Sequence, residues 1–570
     1  MKKTLFSCLF LFLIVESFAQ KQYSEVNFRS PVGIPLLLSG NFAELRSNHF
    51  HTGLDIKTKG VSGYRIYAID SGYVSRINVS HWGYGKALYV DHPNGYTSVY
   101  GHLSKFSSKI EDYLRQQQYK QQSELVTLYL DSTQIPISKS EVVALSGNSG
   151  SSSGPHLHFE VRETVSEKPV NPLLFNFKVE DDIPPSIYNI KVYPLDSGVV
   201  NNSQKNQLIP VSTSSGKYSV KQKIVAFGEI GLGIHTIDKL NGSGNICGIY
   251  TIELYVDDQL YFFQQMEKLD FSTNRYINTH KDYLEYKKNR RSIHKSFISE
   301  NNELDIYAKV KNNGKLTISS TKKYAVKYIV TDVNGNQSEL NFTIYGDSAQ
   351  QHFFKSPSFE NQLNAVKFRD SIVRSDIRVV MPEKSMYQSE KVSLVKDAYT
   401  NSKSAYYSIM NENIPVHKKF VLSLKLKDTS AINISKAVLV SVSGDKKKVV
   451  ARGGKYANGW LEANVKKFGG YTVLIDSTAP KIKLINVFEN KNIKGLSYLQ
   501  FKITDDLSGI KKYNAFIDDK WVLSNYIPRS AALKIWAKEW KYLTAGKHTL
   551  KLVIEDERGN VAIKSIHINY

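Results

Sequence analysis

Apolar and polar residues follow a two-residue period in short runs along most of this chain. Residues 87–92 (ALYVDH), 96–103 (YTSVYGHL), 156–162 (HLHFEVR), 420–428 (FVLSLKLKD) and 436–444 (KAVLVSVSG) are examples. Turn-forming stretches separate such runs: Gly60 to Gly63, Gly83 to Gly85, Asp91-His92-Pro93-Asn94-Gly95 and Gly147 to Gly154. Period two between turns predicts antiparallel strands. One stretch departs from it. Ser107 to Leu130 is rich in Gln, Lys and Glu, and Ile110, Tyr113 and Leu114 fall at helical spacing. A helix inserted between the 96–103 and 156–162 strands is expected there.

Past Pro169-Val170-Asn171-Pro172 the composition changes, and a diverged repeat is visible. One copy opens with Asp181 and Pro185, the other with Asp476 and Pro480. Gly248-Ile249 precedes Val256-Asp257-Asp258 at the spacing by which Gly509-Ile510 precedes Ile517-Asp518-Asp519. Both copies close on a Gly-Asn turn, Gly335-Asn336 and Gly559-Asn560, before a final alternating run. Strands spaced by such turns predict β-sandwiches. The first copy is longer, with insertions expected around 197–222 and 265–300. The expected division is 1–19 leader, 20–180 first domain with an inserted segment at 107–135, 181–346 sandwich, 347–475 irregular segment plus sandwich, and 476–570 sandwich.

A chain of 570 residues exceeds what one core supports, roughly 250–300 residues, so several domains follow. The formal net charge of +22 favours polyanionic surroundings: nucleic acid, anionic lipid or an anionic wall polymer. Lys and Arg are dispersed and no nucleic-acid motif is present, which argues against nucleic acid as partner. Lys2-Lys3, an apolar run from Leu5 to Val15 and Ser17-Phe18-Ala19 form an export signal, with cleavage expected after Ala19. The run is shorter than the ~18–20 residues of a membrane span, and no later stretch is long and apolar enough, so no transmembrane anchor is expected. Cleavage leaves Cys247 as the lone cysteine, excluding an intrachain disulfide and thiolate metal sites.

The chemistry concentrates before residue 180. His156 and His158 are two apart on a predicted strand and project to one face, with Leu157 and Phe159 on the other. His51 and Asp55 in HTGLD are four apart, with Gly53 placed to allow a tight turn. Two imidazoles and a carboxylate suit zinc and leave a fourth position open for water. His49 is a rival ligand but has no carboxylate four residues on. His102 in YGHLS gains weight from its company. His81 and His92 lie beside turns and are expected to be exposed. Asp257-Asp258 and Asp518-Asp519 are expected at hairpin tips, since a calcium site needs about 6–8 oxygens.

These motifs resemble the lysostaphin-type (LytM-like) zinc endopeptidases that cut peptidoglycan cross-links. The resemblance rests on HTGLDI, WGYGKALYVDHPNGYTSVYGHLS and VVALSGNSGSSSGPHLHFEVR, within residues 45–175. It implies one zinc ion per chain on His51, Asp55 and His158, with His156 and His102 acting in catalysis. One of these two would move the water's proton to the leaving amine, and the other would stabilise the oxyanion. The 107–135 segment is longer than the family's usual connection and is expected as a wall or lid near the cleft.

The implied fold class is mainly β: an antiparallel-sheet lysostaphin-type peptidase domain with a helical insertion, then two or three β-sandwich (Ig-like) domains. The implied function is an exported hydrolase of peptidoglycan stem peptides or cross-bridges, in the periplasm, cell envelope or medium. The alternative is a non-catalytic envelope scaffold, or an activator of another cell-wall hydrolase, holding an envelope protein partner through the β-domains.

Overall fold

The computed structural model describes Tyr23, residues 25–356, 362–427, Ser430 and residues 433–570. The export signal lies outside these residues. Among the described residues no helix is long and apolar enough to cross a membrane. The chain divides into two compact units. One comprises Met1–Glu111 with Thr127–Pro357, the other Asp112–Val126 with Ser358–Tyr570.

The first unit begins with strands β1 (Leu38–Gly40), β2 (Leu54–Lys57), β3 (Gly72–Val79), β4 (Lys86–Asp91) and β5 (Tyr96–Gly101). Helix α1 (Ser108–Gln121), which from Asp112 on belongs to the second unit, and strand β6 (His156–Glu163) of the first follow along the chain. Within a nine-stranded sheet they run in the order β1-β2-β6-β5-β4-β3. β6 is therefore central, antiparallel to β2 on one side and to β5 on the other. Its alternation decides what it buries. Leu157, Phe159 and Val161 are fully buried on one face, and His158, Glu160 and Arg162 are buried on the other. The register sets Asp55 directly opposite His158, with Gly101 opposite it on the far side, one residue before His102. Opposed residues of antiparallel strands share a face, which brings Asp55 and His158 together.

The mainly-β fold class holds, as does the inserted helix α1, where Ile110 and Leu114 are buried one turn apart. Residues 112–126 of that insertion group with the C-terminal part of the chain. There the Arg115 guanidinium and Tyr119 hydroxyl bond to the buried Glu539 carboxylate. Glu124 accepts from the Tyr513 hydroxyl, the Asn525 amide and the Tyr526 N–H at 2.6–2.9 Å.

Both repeat copies are strand-built, and their landmarks correspond. Strands Thr251–Val256 and Ile510–Ile517 each form a hairpin whose tip is an Asp-Asp pair with positive φ, 48° and 61° at Asp257-Asp258 and 46° and 61° at Asp518-Asp519. Two consecutive positive-φ residues are the tight hairpin geometry that Asp tolerates. These four carboxylates are turn residues, as expected. Between the copies, two five-stranded sheets enclose a core that includes Val379, Phe420, Leu439 and Val473.

Candidate metal centre

His51, Asp55 and His158 converge. His51 Nε2 lies 3.1 Å from His158 Nδ1 and 3.1 Å from Asp55 Oδ1, and His158 Nδ1 lies 2.9 Å from the same oxygen. Zinc bonds of about 2.0–2.2 Å in a tetrahedron need donor separations of roughly 3.3–3.6 Å. The triangle is contracted by only a few tenths of an ångström, so these three donors could hold such an ion. The exposed His49 takes no part in the triangle.

Each imidazole of the triangle is fixed from behind. His51 Nδ1 donates to the Asn41 carbonyl at 2.7 Å, which leaves Nε2 as the donor atom toward the metal position. His158 Nε2 meets Glu160 Oε1 at 2.8 Å, which leaves Nδ1 facing the triangle. Such outer partners set the tautomer and the ring orientation. Glu160 is fully buried and also accepts from the Thr52 and Tyr84 hydroxyls, both at 2.5 Å. Arg162 Nε donates to its other oxygen at 2.7 Å. The Arg46 guanidinium bonds to Asp55 Oδ2, the oxygen turned away from the triangle, and also reaches Glu44.

The electrostatics favour positive charge at this point. Burial opposes ionisation of Asp55, but the neighbouring His51, His156 and His158 imidazoles hold it well below the usual carboxylate range. Burial likewise opposes a charged His158, yet its hydrogen bonds to Asp55 and Glu160 push it up to about 9. Burial pushes the His51 imidazole down.

His156 and His102 flank the triangle. His156 Nε2 stands 3.4 Å from Asp55 Oδ1, while its Nδ1 donates to the Gly154 carbonyl at 2.8 Å. His102 Nδ1 donates to the Ser149 carbonyl at 2.8 Å, and the two rings lie 4.8 Å apart. A carbonyl only accepts, so both Nδ1 atoms carry the proton and both Nε2 atoms are free to accept one. Burial first, then the neighbouring His158 and His156, push His102 down to about 3 and hold it neutral. His102 has φ +58°, a costly conformation for a residue with a Cβ. Its N–H donates to the Tyr84 carbonyl at 2.8 Å.

Glycines supply the close packing. Gly53 is not the turn expected. A Cβ there would lie 2.3 Å from the Phe159 carbonyl oxygen, so glycine is needed for the approach of residues 51–55 to β6. Gly150 has φ +72°, and a Cβ there would lie 2.3 Å from the Gly85 nitrogen. It follows Ser149, whose carbonyl holds His102. Gly150→Ala should cost about 1–3 kcal/mol of stability. Turnover should fall while metal is retained, which thermal unfolding, metal analysis and a rate assay would show together.

Two surrounding residues correct the sequence expectation. His92 is buried, with Nδ1 donating to the Ser71 carbonyl and Nε2 against the Ser98 hydroxyl, each at 2.8 Å. His81 is half-buried.

Residues 49–120 match Peptidase family M23. This chain carries an M23 peptidase domain. A separate match, to the Zu5-like domain, covers residues 363–476. The DD-carboxypeptidase/endopeptidase Mpg of Neisseria meningitidis serogroup B is 30% identical over 129 residues, which are 23% of this chain and 23% of that protein. The chain thus matches under a quarter of that relative's length. The M23 domain is also similar in fold to the catalytic domain of the prophage-encoded M23 protein EnpA from Enterococcus faecalis. That likeness has 23% identity and a TM-score of 0.19, and covers 25% of this chain and 91% of the other. The catalytic domain of lysostaphin from Staphylococcus simulans gives 21% identity and a TM-score of 0.18, covering 24% and 86%.

The residues that support the M23 site were not singled out from sequence. Glu160 and Arg162 had a signal, since they continue the His156–His158 face of β6 at the same spacing of two. Asn41 and Arg46 had none, because they belong to an irregular segment.

Proposed function

We propose that this protein is an exported zinc endopeptidase that hydrolyses peptide bonds in peptidoglycan stem peptides or cross-bridges. The observation that carries the proposal is the triangle of His51 Nε2, Asp55 Oδ1 and His158 Nδ1 beside the imidazoles of His156 and His102, each held at Nδ1 by a backbone carbonyl. The substrate class is supported by the M23 match and by the endopeptidase activity in the name of the Neisseria relative. The apolar, Lys-led N-terminus supports export, to the periplasm, envelope or medium.

Zinc on these three donors would supply Lewis acidity and a water with pKa near about 7. The chain's own groups then divide the remaining work. His156 and His102 each offer an Nε2 acceptor within the site, one to take the proton of the attacking water and return it to the leaving amine, the other to stabilise charge on the carbonyl oxygen after protonation. Glu160 and Asn41 hold the two ligand rings. Arg46 keeps Asp55 turned with Oδ1 to the centre.

Purified peptidoglycan incubated with the full chain should release soluble muropeptides. Removal of metal should stop the release, and one equivalent of zinc should restore it. Zinc binding without release of any fragment would refute the proposal and favour the scaffold alternative.

A further inference from the structure

Three carboxylates meet where the linker after the peptidase domain enters the first repeat sandwich. Asp181 comes from the linker, Asp238 follows strand Ile224–Ile237, and Asp332 lies in the turn before the final strand Gln337–Gly346. One oxygen from each lies within 4.8 Å of the others. Asp332 is well partnered: Oδ1 accepts from the Asn334 and Asn336 N–H groups at 2.8 and 2.9 Å, and Oδ2 from the Asn336 amide at 2.8 Å. Asp181 Oδ1 accepts from the Ile183 N–H at 3.2 Å. The remaining atoms are different. Asp181 Oδ2 and Asp238 Oδ1 are buried with no hydrogen-bond partner, and Asp238 is only 1% exposed.

A buried carboxylate oxygen without a partner has lost its water and gained nothing. Here two of them belong to one cluster. Burial first, then repulsion from Asp332 and Asp181, push the Asp238 carboxyl up to about 8. Burial and Asp332 push Asp181 up to about 6. Such a cluster is completed either by protons or by a cation.

We propose that Asp181, Asp238 and Asp332 bind a hard divalent cation, calcium, which clamps the linker onto the first repeat sandwich. The donors are all oxygen, the set that calcium prefers. Calcium–oxygen bonds of about 2.3–2.6 Å span donors up to roughly 4.6–5.2 Å apart, which accommodates the observed cluster. The same arrangement recurs in the other copy as Asp476, Asp505 and Asp556. The Asn560 amide bonds to the Asp476 carbonyl and Asp556 Oδ2 there, as the Asn336 amide bonds to the Asp181 carbonyl and Asp332 Oδ2 here. In that copy Asp505 is met by the Leu507 and Gly509 N–H groups. The orphaned oxygens of the first copy make its need for a cation greater.

The clamp also touches the support of the metal centre. Asp238 and Cys247 exchange backbone hydrogen bonds at 3.1 and 2.9 Å. The next residue, Gly248, exchanges two more with the Asn41 side chain, at 2.8 and 2.7 Å. Asn41 is the residue whose carbonyl holds His51.

The test uses the full chain, stripped of calcium on a chelating resin and reloaded with zinc, and needs no catalytic assay. Millimolar calcium chloride should raise the unfolding temperature of the unit by several degrees, and terbium should bind with sensitised luminescence that calcium displaces. Asp238→Asn should lose that calcium-dependent rise and the matching share of terbium signal. Without calcium it should unfold no lower than the parent, because the buried repulsion is gone. Asp181→Asn, a change in the linker, should lose the same rise. An unchanged calcium response in both variants, or no response in the parent, would overturn the proposal.

Discussion

His156→Ala should leave the metal bound and cut hydrolysis sharply. The substitution spares all three donors, so zinc per chain should stay at the parent value. Turnover should drop about 10²–10⁴-fold, the usual worth of a positioned acid–base group. His158→Ala should lose both, since it removes a corner of the triangle and leaves the buried Glu160 and Asp55 without their shared imidazole. Metal analysis beside a rate assay separates the two variants. A scaffold that acts by binding alone would tolerate His156→Ala. A variant that kept both zinc and full activity would remove His156 from the chemistry.

The second large effect is expected at Glu160. Its carboxylate is fully buried, joins His158 to Arg162 and accepts from two hydroxyls. Glu160→Ala leaves the Arg162 guanidinium, which is only 4% exposed, without its buried counter-charge, and the exposed Glu167 at 3.4 Å replaces it poorly. Breaking a buried pair from one side costs about 3–5 kcal/mol, read as a lower denaturant midpoint with an unchanged slope. Loss of the hydrogen bond behind His158 should separately weaken zinc binding about 10–100-fold, read by competition with a chromogenic chelator. A double variant, Glu160→Gln with Arg162→Met, should recover part of the stability but none of the zinc affinity. Equal recovery of both would mean that Glu160 serves only the core.

How much of this was legible beforehand depends on how local each signal was. The alternation in residues 156–162 carried strand β6, the shared face of His156 and His158 and the buried face of Leu157 and Phe159. Asp55 came from its spacing to His51, but its register opposite His158 is a property of the sheet and needed the structure. Glu160 and Arg162 lay on the same alternation and could have been taken from it. Charged residues on a strand ordinarily face solvent, but here both are buried, with the Tyr89 and Phe271 rings against Arg162. Asn41 was out of reach. Its side chain acts through Gly248, 207 residues away, and no periodicity spans that distance. His92 misled for a related reason: a turn position at the chain level is enclosed by Ser71 and Ser98 in the fold. The repeat was legible because hairpin tips and Gly-Asn turns are local. The third carboxylate of each cluster was harder to place: Asp238 and Asp505 both open an Asp-x-Leu-x-Gly run, but they stand 57 and 29 residues after Asp181 and Asp476.

The most direct measurement is mass spectrometry of the fragments released from purified peptidoglycan by the zinc-loaded chain in heavy-oxygen water. Hydrolysis of a peptide bond by water predicts one heavy oxygen in the new carboxyl terminus of a stem or bridge peptide, with the glycan strands intact, and no fragments from the His156→Ala protein. Fragments cut in the glycan, or no fragments at all from a chain that has bound its zinc, would contradict it.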